Sequence, residues 1–433
     1  MTRYLLTTWE GGGCVPPELG LARRLIERGH QVRVLACPAV EQAARAAGCE
    51  FSPWVTAPHK LSLAPEEDVM RDWEFKNIFK LFEHVLDVFL CGPSDKFAAD
   101  TLAVLDNHPA DVVLSDMMML GAQMAAEKLK LPSAVLVPNI SMRPAKGVPA
   151  IGPGFLPMRG PVGWLRDALL TKIGARIWAK GLPAFNRARA GLGLDALPEI
   201  FAQSDRADRV LVLTSPSFDF VPANPPANTV WAGPVLDDPS WAGTSWTPPW
   251  PESNRDPIVL VGLSSTYQHQ QAAIRNAIAA LAQLPVRGLV TIGPALDGEA
   301  IVSPVDHVVV VPTAPHSQVL AQASLAITHC GHGTTIRALA AGVPLVCMPM
   351  GRDQNDTAAR VVARHAGVRL KPTAPEAKIR RAVAAVLADR SYTAGAQALR
   401  DAIAREAKEV DATALLEQLG SNTRATSPSS RVA

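Results

Sequence analysis

The residues best equipped for chemistry in this 433-residue chain lie between positions 328 and 360, THCGHGTTIRALAAGVPLVCMPMGRDQNDTAAR. Positions 324–328 are apolar and β-compatible, as a buried strand should be. His329 follows, then the turn Gly331, His332, Gly333, Thr334 and Thr335, whose threonines can cap a helix through 336–341. Gly342-Val343-Pro344 stops that helix. Strand, glycine turn and helix start together present free backbone N–H groups and the positive end of a helix dipole, which suit a phosphate. A second apolar strand, 345–350, ends at Gly351-Arg352-Asp353-Gln354, where a carboxylate and a carboxamide can bind hydroxyls. Two neighbouring strand ends equipped in this way describe a nucleotide-sugar site.

This stretch resembles the signature of the family 1 glycosyltransferases, which include UDP-glucuronosyltransferases, plant secondary-product glucosyltransferases and bacterial macrolide glycosyltransferases. The pattern H-x-G-x-G-[ST] with a later D-Q carries the resemblance, and the chain length fits. It implies an α/β protein of the GT-B fold, two facing Rossmann-like doubly wound domains with a cleft between them. It implies that His329, Gly331, Gly333 and Thr334 hold the diphosphate of a UDP- or dTDP-sugar donor and that Asp353 and Gln354 bind its sugar. Ser264-Ser265-Thr266 resembles the family's glycine-serine loop, so Ser265 is a candidate for the outer phosphate; a plain helix cap is the other reading. His316 falls where the family binds the base. Thr313 stands where plant members stack a tryptophan, and Arg337 where many members place a ribose-binding glutamate.

Sugar transfer also requires the acceptor oxygen to lose its proton. Family members carry a histidine for this in a G-H-x-x-P turn with an aspartate behind it. Here the turn reads Gly13-Cys14-Val15-Pro16-Pro17. Asp116 matches the partner aspartate and is the candidate base, directly or through water, with His59 or His84 as alternatives. Cys14 has nothing basic beside it in sequence to form a thiolate. The chain contains no D-x-D motif for a divalent cation. A helix dipole can replace the metal, so the expected reaction is metal-free, with no cofactor beyond the donor substrate.

These residues need two α/β halves to carry them. Positions 4–8, a glycine turn, a helix from Pro16-Pro17 ended by Gly29, and the strand 31–36 make one βαβ unit. A nicotinamide site there lacks both the G-x-G-x-x-G spacing and an acid after the second strand. Positions 51–60 read as a loop and 71–90 as an amphipathic helix rich in Phe. That helix can be packed core, an aromatic wall for a lipophilic acceptor, or a membrane-surface helix, against which Glu74, Glu83 and Asp87 argue. Asp116 ends the strand 112–115, where open parallel sheets bind ligands. A Pro- and Gly-rich loop covers 143–161, and 210–214 closes the first sheet. The expected domains are an acceptor domain over 1–214, a proline-rich linker over 215–257 and a donor domain over 258–395. A helix over 396–419 should cross back to the first domain, before a disordered tail over 420–433.

Composition agrees with this plan. The chain is 48% apolar, 19% charged and carries a formal charge of +2. No basic run suggests a nucleic-acid partner, and no apolar run is long enough to span a bilayer. Its six cysteines form no C-x-x-C pair and read as thiols in a reducing cytoplasm. No signal peptide is expected. The expected partners are a nucleotide-sugar donor and a hydrophobic small-molecule acceptor. A nucleotide-sugar-binding accessory protein without transferase activity is the alternative, motivated by Cys14 and Arg337. A UDP-sugar epimerase would be expected to have an acidic cluster in the cleft.

Overall fold

A computed structural model describes residues 1–426 except 297 and 299. Two parallel sheets organise it. The first contains β1 (Arg3–Thr7), β2 (Gln31–Ala36), β3 (Glu50–Pro53), β4 (Val112–Asp116), β5 (Ser133–Val137), β6 (Arg209–Val212) and β7 (Thr229–Trp231), in the order β3-β2-β1-β4-β5-β6-β7. The second contains β8 (Ile258–Gly262), β9 (Arg287–Thr291), β10 (Val308–Val311), β11 (Ala323–Thr328), β12 (Leu345–Cys347) and β13 (Gly367–Arg369), in the order β10-β9-β8-β11-β12-β13.

Both orders reverse once, at β1/β4 and at β8/β11. Open α/β sheets bind ligands outside the carboxyl ends of the strands at such switch points. All the pairings are parallel and helices cover both faces, so the central strands are buried throughout; β4 and β8 expose no residue. Alternation along a strand feeds two cores. Ile258 and Leu260 pack with Leu345 and Ile336 on one face, while Val259 and Val261 pack with Ile327 and Val346 on the other.

The structure departs from the sequence expectations at five places. Positions 50–53 form an edge strand rather than a loop, its backbone held by Arg33, which donates to Phe51 O and Ser52 Oγ. Part of the presumed linker joins the first sheet as β7. The aromatic segment is not helical from 71. Residues 72–74 form a single tight turn, and the helix Ile78–Val85 begins only at Asn77, whose side chain accepts from Phe79 N and Lys80 N. The presumed crossing helix over 396–419 is two helices, Arg390–Glu409 and Ala412–Thr426. Asp411 breaks it by capping Thr413 N and Ala414 N. Ala396, Leu399 and Ile403 belong to the second lobe's core, whereas Ala412, Leu416 and Leu419, with Val410 and Leu415 packed beside them, belong to the first. The last helix also runs on through 420–426, where a disordered tail was expected; 427–433 lie outside the described residues.

Candidate active site

The two switch points face each other across a cavity of about 340 Å³. The first lobe contributes the 11–14 turn after β1 and Asp116 at the end of β4. The second contributes Ser264–Thr266 after β8 and His329–Thr334 after β11. The lobes are in contact at the rim. Arg352, in a left-handed conformation at φ 53°, donates to Asp72 at 2.6 and 3.2 Å and to Thr266 Oγ1 at 3.1 Å. Gly12, at φ 80°, lies directly against the opposite turn, and a Cβ there would stand 2.8 Å from the Thr266 methyl and 3.0 Å from Ser265 Oγ.

The donor half forms around the helix His332–Ala340. Its first intrahelical bond runs from Thr335 N to Gly331 O at 3.1 Å. The N–H groups of His332, Gly333 and Thr334 precede it, and these three residues line the cavity. Thr335 was expected among the binding residues and is not one of the lining residues. Its N–H is used by the helix and its side chain is fully buried. His329 is buried, and burial, followed by the Arg352 charge, lowers its pKa to about 3. It is therefore a neutral imidazole at any working pH. Its Nδ1 is buried with no hydrogen-bond partner, so the ring is not satisfied by the surrounding backbone. Its Nε2 leans on Gly331, where a Cβ would stand 2.4 Å away.

Other second-lobe side chains are already committed. His332 Nε2 meets Thr214 Oγ1 at 2.8 Å, so that side chain joins the lobes and only its backbone faces the ligand space. His316 packs under Gly262 and meets Thr291 Oγ1 at 3.0 Å; burial lowers its pKa to about 4. Ser264 Oγ accepts from Thr266 N at 3.2 Å, and the next helix starts only at Gln271. The turn is thus closed by Ser264, which leaves the Ser265 hydroxyl on the cavity wall. Gln354 Oε1 accepts from Met350 N and Gly351 N at 2.7 and 3.1 Å, and its Nε2 donates to Gln268. Asp353 lines the cavity with Oδ2 unpaired, and burial raises its pKa. Arg337 is turned toward the 236–238 segment: it donates to Leu236 O at 3.3 Å and to Asp237 O and lies 3.6 Å from Asp238 Oδ1. Asp238 and Trp241 also line the cavity, and the Asp238 charge acts on His316. Composition gave no sign of their approach, because they come from the presumed linker.

In the acceptor half, Ile78, Leu81, Phe82 and Val85 line the cavity with Met70, Met117, Met118 and Met142. The aromatic segment is thus partly core, through Leu86, Phe89 and Leu90, and partly cavity wall. His59 and His84 are not lining residues; His59 Nδ1 meets Ala57 O, and His84 packs on Phe75. Asp116 does line the cavity. Its Oδ1 accepts from Met118 N at 2.7 Å, and burial raises its pKa to about 6. Burial and the nearby charges of Asp116, Glu18 and Glu10 push the Cys14 thiol well above its usual value, so it stays protonated.

Glu18, which the sequence reading passed over, is fully buried beside Asp116. Both of its oxygens, Asp116 Oδ2, Thr8 Oγ1 and Trp9 Nε1 are buried without a well-formed hydrogen bond. Left unbonded, each such atom would cost about 1–3 kcal/mol, a cost relieved to the extent that Glu18 and Asp116 bond each other, Thr8 and Trp9. A Glu within the first turn of an otherwise apolar helix face was the available signal. Among the described residues no group of three His, Cys, Asp or Glu is placed to hold a metal ion, and no helix is long and apolar enough to cross a membrane.

This geometry, two doubly wound lobes facing each other across one cavity, is that of the GT-B fold. The profile of the erythromycin biosynthesis protein CIII-like C-terminal domain matches residues 276–419. The chain is 30% identical over 428 residues to 4'-demethylrebeccamycin synthase of Lentzea aerocolonigenes, covering 96% of this chain and 99% of that protein. The crystallised glycotransferase of kitacinnamycin superposes with a TM-score of 0.75 at 21% identity, covering 96% and 98% of the two chains. Glycosyltransferase VinC in complex with dTDP superposes with a TM-score of 0.69 at 18% identity, covering 98% and 100%. The chain belongs to the bacterial, macrolide-type family 1 glycosyltransferases, enzymes that transfer sugar from a nucleotide donor to a small-molecule acceptor.

Proposed function

We propose that this enzyme is an inverting, metal-independent transferase that moves a hexose or deoxyhexose from dTDP or UDP to a hydroxyl of a lipophilic natural product. One observation carries the reading: Asp116, at the end of β4, and His332, Gly333 and Thr334, at the start of the facing helix, line the same cavity from opposite lobes. A single displacement uses this layout. The acceptor oxygen bonds to the anomeric carbon while the bond from that carbon to the phosphate oxygen breaks. Its electron pair leaves on the nucleoside diphosphate, and the acceptor proton passes to Asp116. Attack opposite the leaving group inverts the centre.

The amides, the helix dipole and neutral His329 meet the growing phosphate charge, and preorganised donors of this kind are usually the largest catalytic contribution. Ser265 reaches the outer phosphate, and Asp353 takes sugar hydroxyls through its unpaired oxygen. Gln354 holds the 350–351 backbone and Gln268, which positions Asp353. Arg337 is engaged by the 236–237 carbonyls, and the cavity-lining Asp238, which accepts from Ser317 N and Oγ, is the neighbouring carboxylate that can also take a nucleoside hydroxyl. The relative's complex with dTDP supports including thymidine donors.

The test is turnover with dTDP- and UDP-sugars on a panel of phenolic and polyketide acceptors, with and without EDTA, the product's anomeric configuration being read by NMR. Inverted product is expected, with rates changed less than about twofold by the chelator, since no step uses a metal as Lewis acid. Product of retained configuration, or activity that requires added cation, overturns the reading.

A further inference from the structure

Position 18 lies one helical turn beyond position 14, so Cys14 and Glu18 share a face of the helix Val15–Glu27. Where the G-x-x-x-P turn offers only a thiol, the next turn brings a carboxyl to the same place. Strand register fixes what it meets. Thr7 pairs with Ser115, which sets Thr8 beside Asp116 at the carboxyl ends of β1 and β4. Asp116 Oδ1 is held by Met118 N, while Asp116 Oδ2, both Glu18 oxygens, Thr8 Oγ1 and Trp9 Nε1 remain as a buried, poorly bonded group under the cavity floor. Unsatisfied atoms gathered at one point call for a role beyond packing.

We infer that Glu18 is the positioning residue for Asp116: it stays protonated, hydrogen-bonds Asp116 Oδ2, and so keeps Asp116 ionised and aimed at the acceptor hydroxyl. This rests on the reading of Asp116 as the base. Two adjacent buried carboxyls cannot both ionise, so the pair keeps one proton between them. Burial and the Asp116 charge push Glu18 well above the carboxylate range, while Glu18 acts to lower Asp116. The groups acting on the pair are each other, Thr8, Trp9 and the Met118 amide. Cys14 and, through Cys14, Glu10 are the neighbouring titratable groups, and no basic side chain is among these influences. The resting pair carries one proton, on Glu18. It carries a second once Asp116 has taken the acceptor's, which then leaves to solvent.

The test compares pH profiles of kcat for the full-length wild type, Glu18→Gln, Glu18→Leu and Asp116→Asn. Glu18→Gln keeps a donor, so its kcat should fall only about threefold. The alkaline decline caused by ionisation of Glu18 should disappear. Glu18→Leu removes the donor; kcat should fall about thirtyfold near neutrality and the acid limb should move up by about one pH unit, with donor KM unchanged. Rescue by Gln relative to Leu distinguishes positioning from packing. A Leu profile that overlays the wild type, or a Gln variant as impaired as Leu, overturns the inference. Should Glu18→Leu not fold, the alkaline limb of Glu18→Gln decides alone: its loss supports the inference and its persistence overturns it. If Asp116→Asn turns over like the wild type, the base assignment has failed instead.

Discussion

Asp116→Asn should reduce kcat by about 10²–10⁴-fold, the usual worth of a positioned general base and equal to roughly 2.7–5.5 kcal/mol of barrier. The substitution keeps the shape and leaves an oxygen for the Met118 amide at 2.7 Å, so the fold and the donor site should be spared. Donor KM and the dTDP dissociation constant should therefore stay close to wild type while kcat collapses, which identifies an interaction made only in the transition state. The pH dependence follows from the same environment. Burial raises the Asp116 pKa to about 6, and the ionised form is the active one. Activity should be full above that value until Glu18 ionises, and be lost as pH falls through it, roughly tenfold per unit below. A rate that holds level from pH 8 to pH 5 would show that Asp116 does not take the proton. A carboxylate of ordinary pKa would be a poor base for an alcohol; raising it toward neutrality narrows that gap without removing its charge at pH 7.

How legible this site was depends on how locally each residue acts. The turn between β11 and the helix His332–Ala340 could be read directly, because a helix start follows from strand, glycine and cap residues in continuous sequence. Asp116 could be read for a similar reason, as the last residue of an apolar run. Thr335 lies behind the cavity wall, because its N–H already makes the first intrahelical bond, and sequence does not fix where that bond begins. Glu18, Asp238 and Trp241 were not recoverable. Glu18 meets Asp116 through a strand that starts almost a hundred residues later, and Asp238 approaches the cavity only because the connecting segment folds back over Arg337. The break at Asp411 shows the same limit in the fold. Apolar periodicity continues from one helix into the next, and only the capping bonds to Thr413 N and Ala414 N reveal that the chain changes lobes there.

Gly331→Ala should weaken dTDP and UDP binding about 10–100-fold, or roughly 1.4–2.7 kcal/mol by titration calorimetry. The donor kcat/KM should fall by about 10²–10³-fold, the range for losing a preorganised donor. The cause is steric and specific. The added Cβ would stand 2.4 Å from His329 Nε2 and 2.7 Å from Cε1, contacts that real Cβ atoms do not make. The backbone at 331 is in an ordinary extended conformation, so no strain in φ competes with that explanation. The imidazole has to leave the position from which its unpaired nitrogen can meet a phosphate oxygen, while the strand and helix on either side hold the backbone still. A double-mutant cycle separates this from a clash with the ligand. His329→Ala alone should cost a similar amount, because it removes the same hydrogen bond and the same wall. Once the ring is absent, adding Gly331→Ala should cost little more, since nothing remains for the new methyl to displace. Equal losses in both backgrounds would mean that the methyl excludes the diphosphate itself, and that His329 supports the turn without touching the donor.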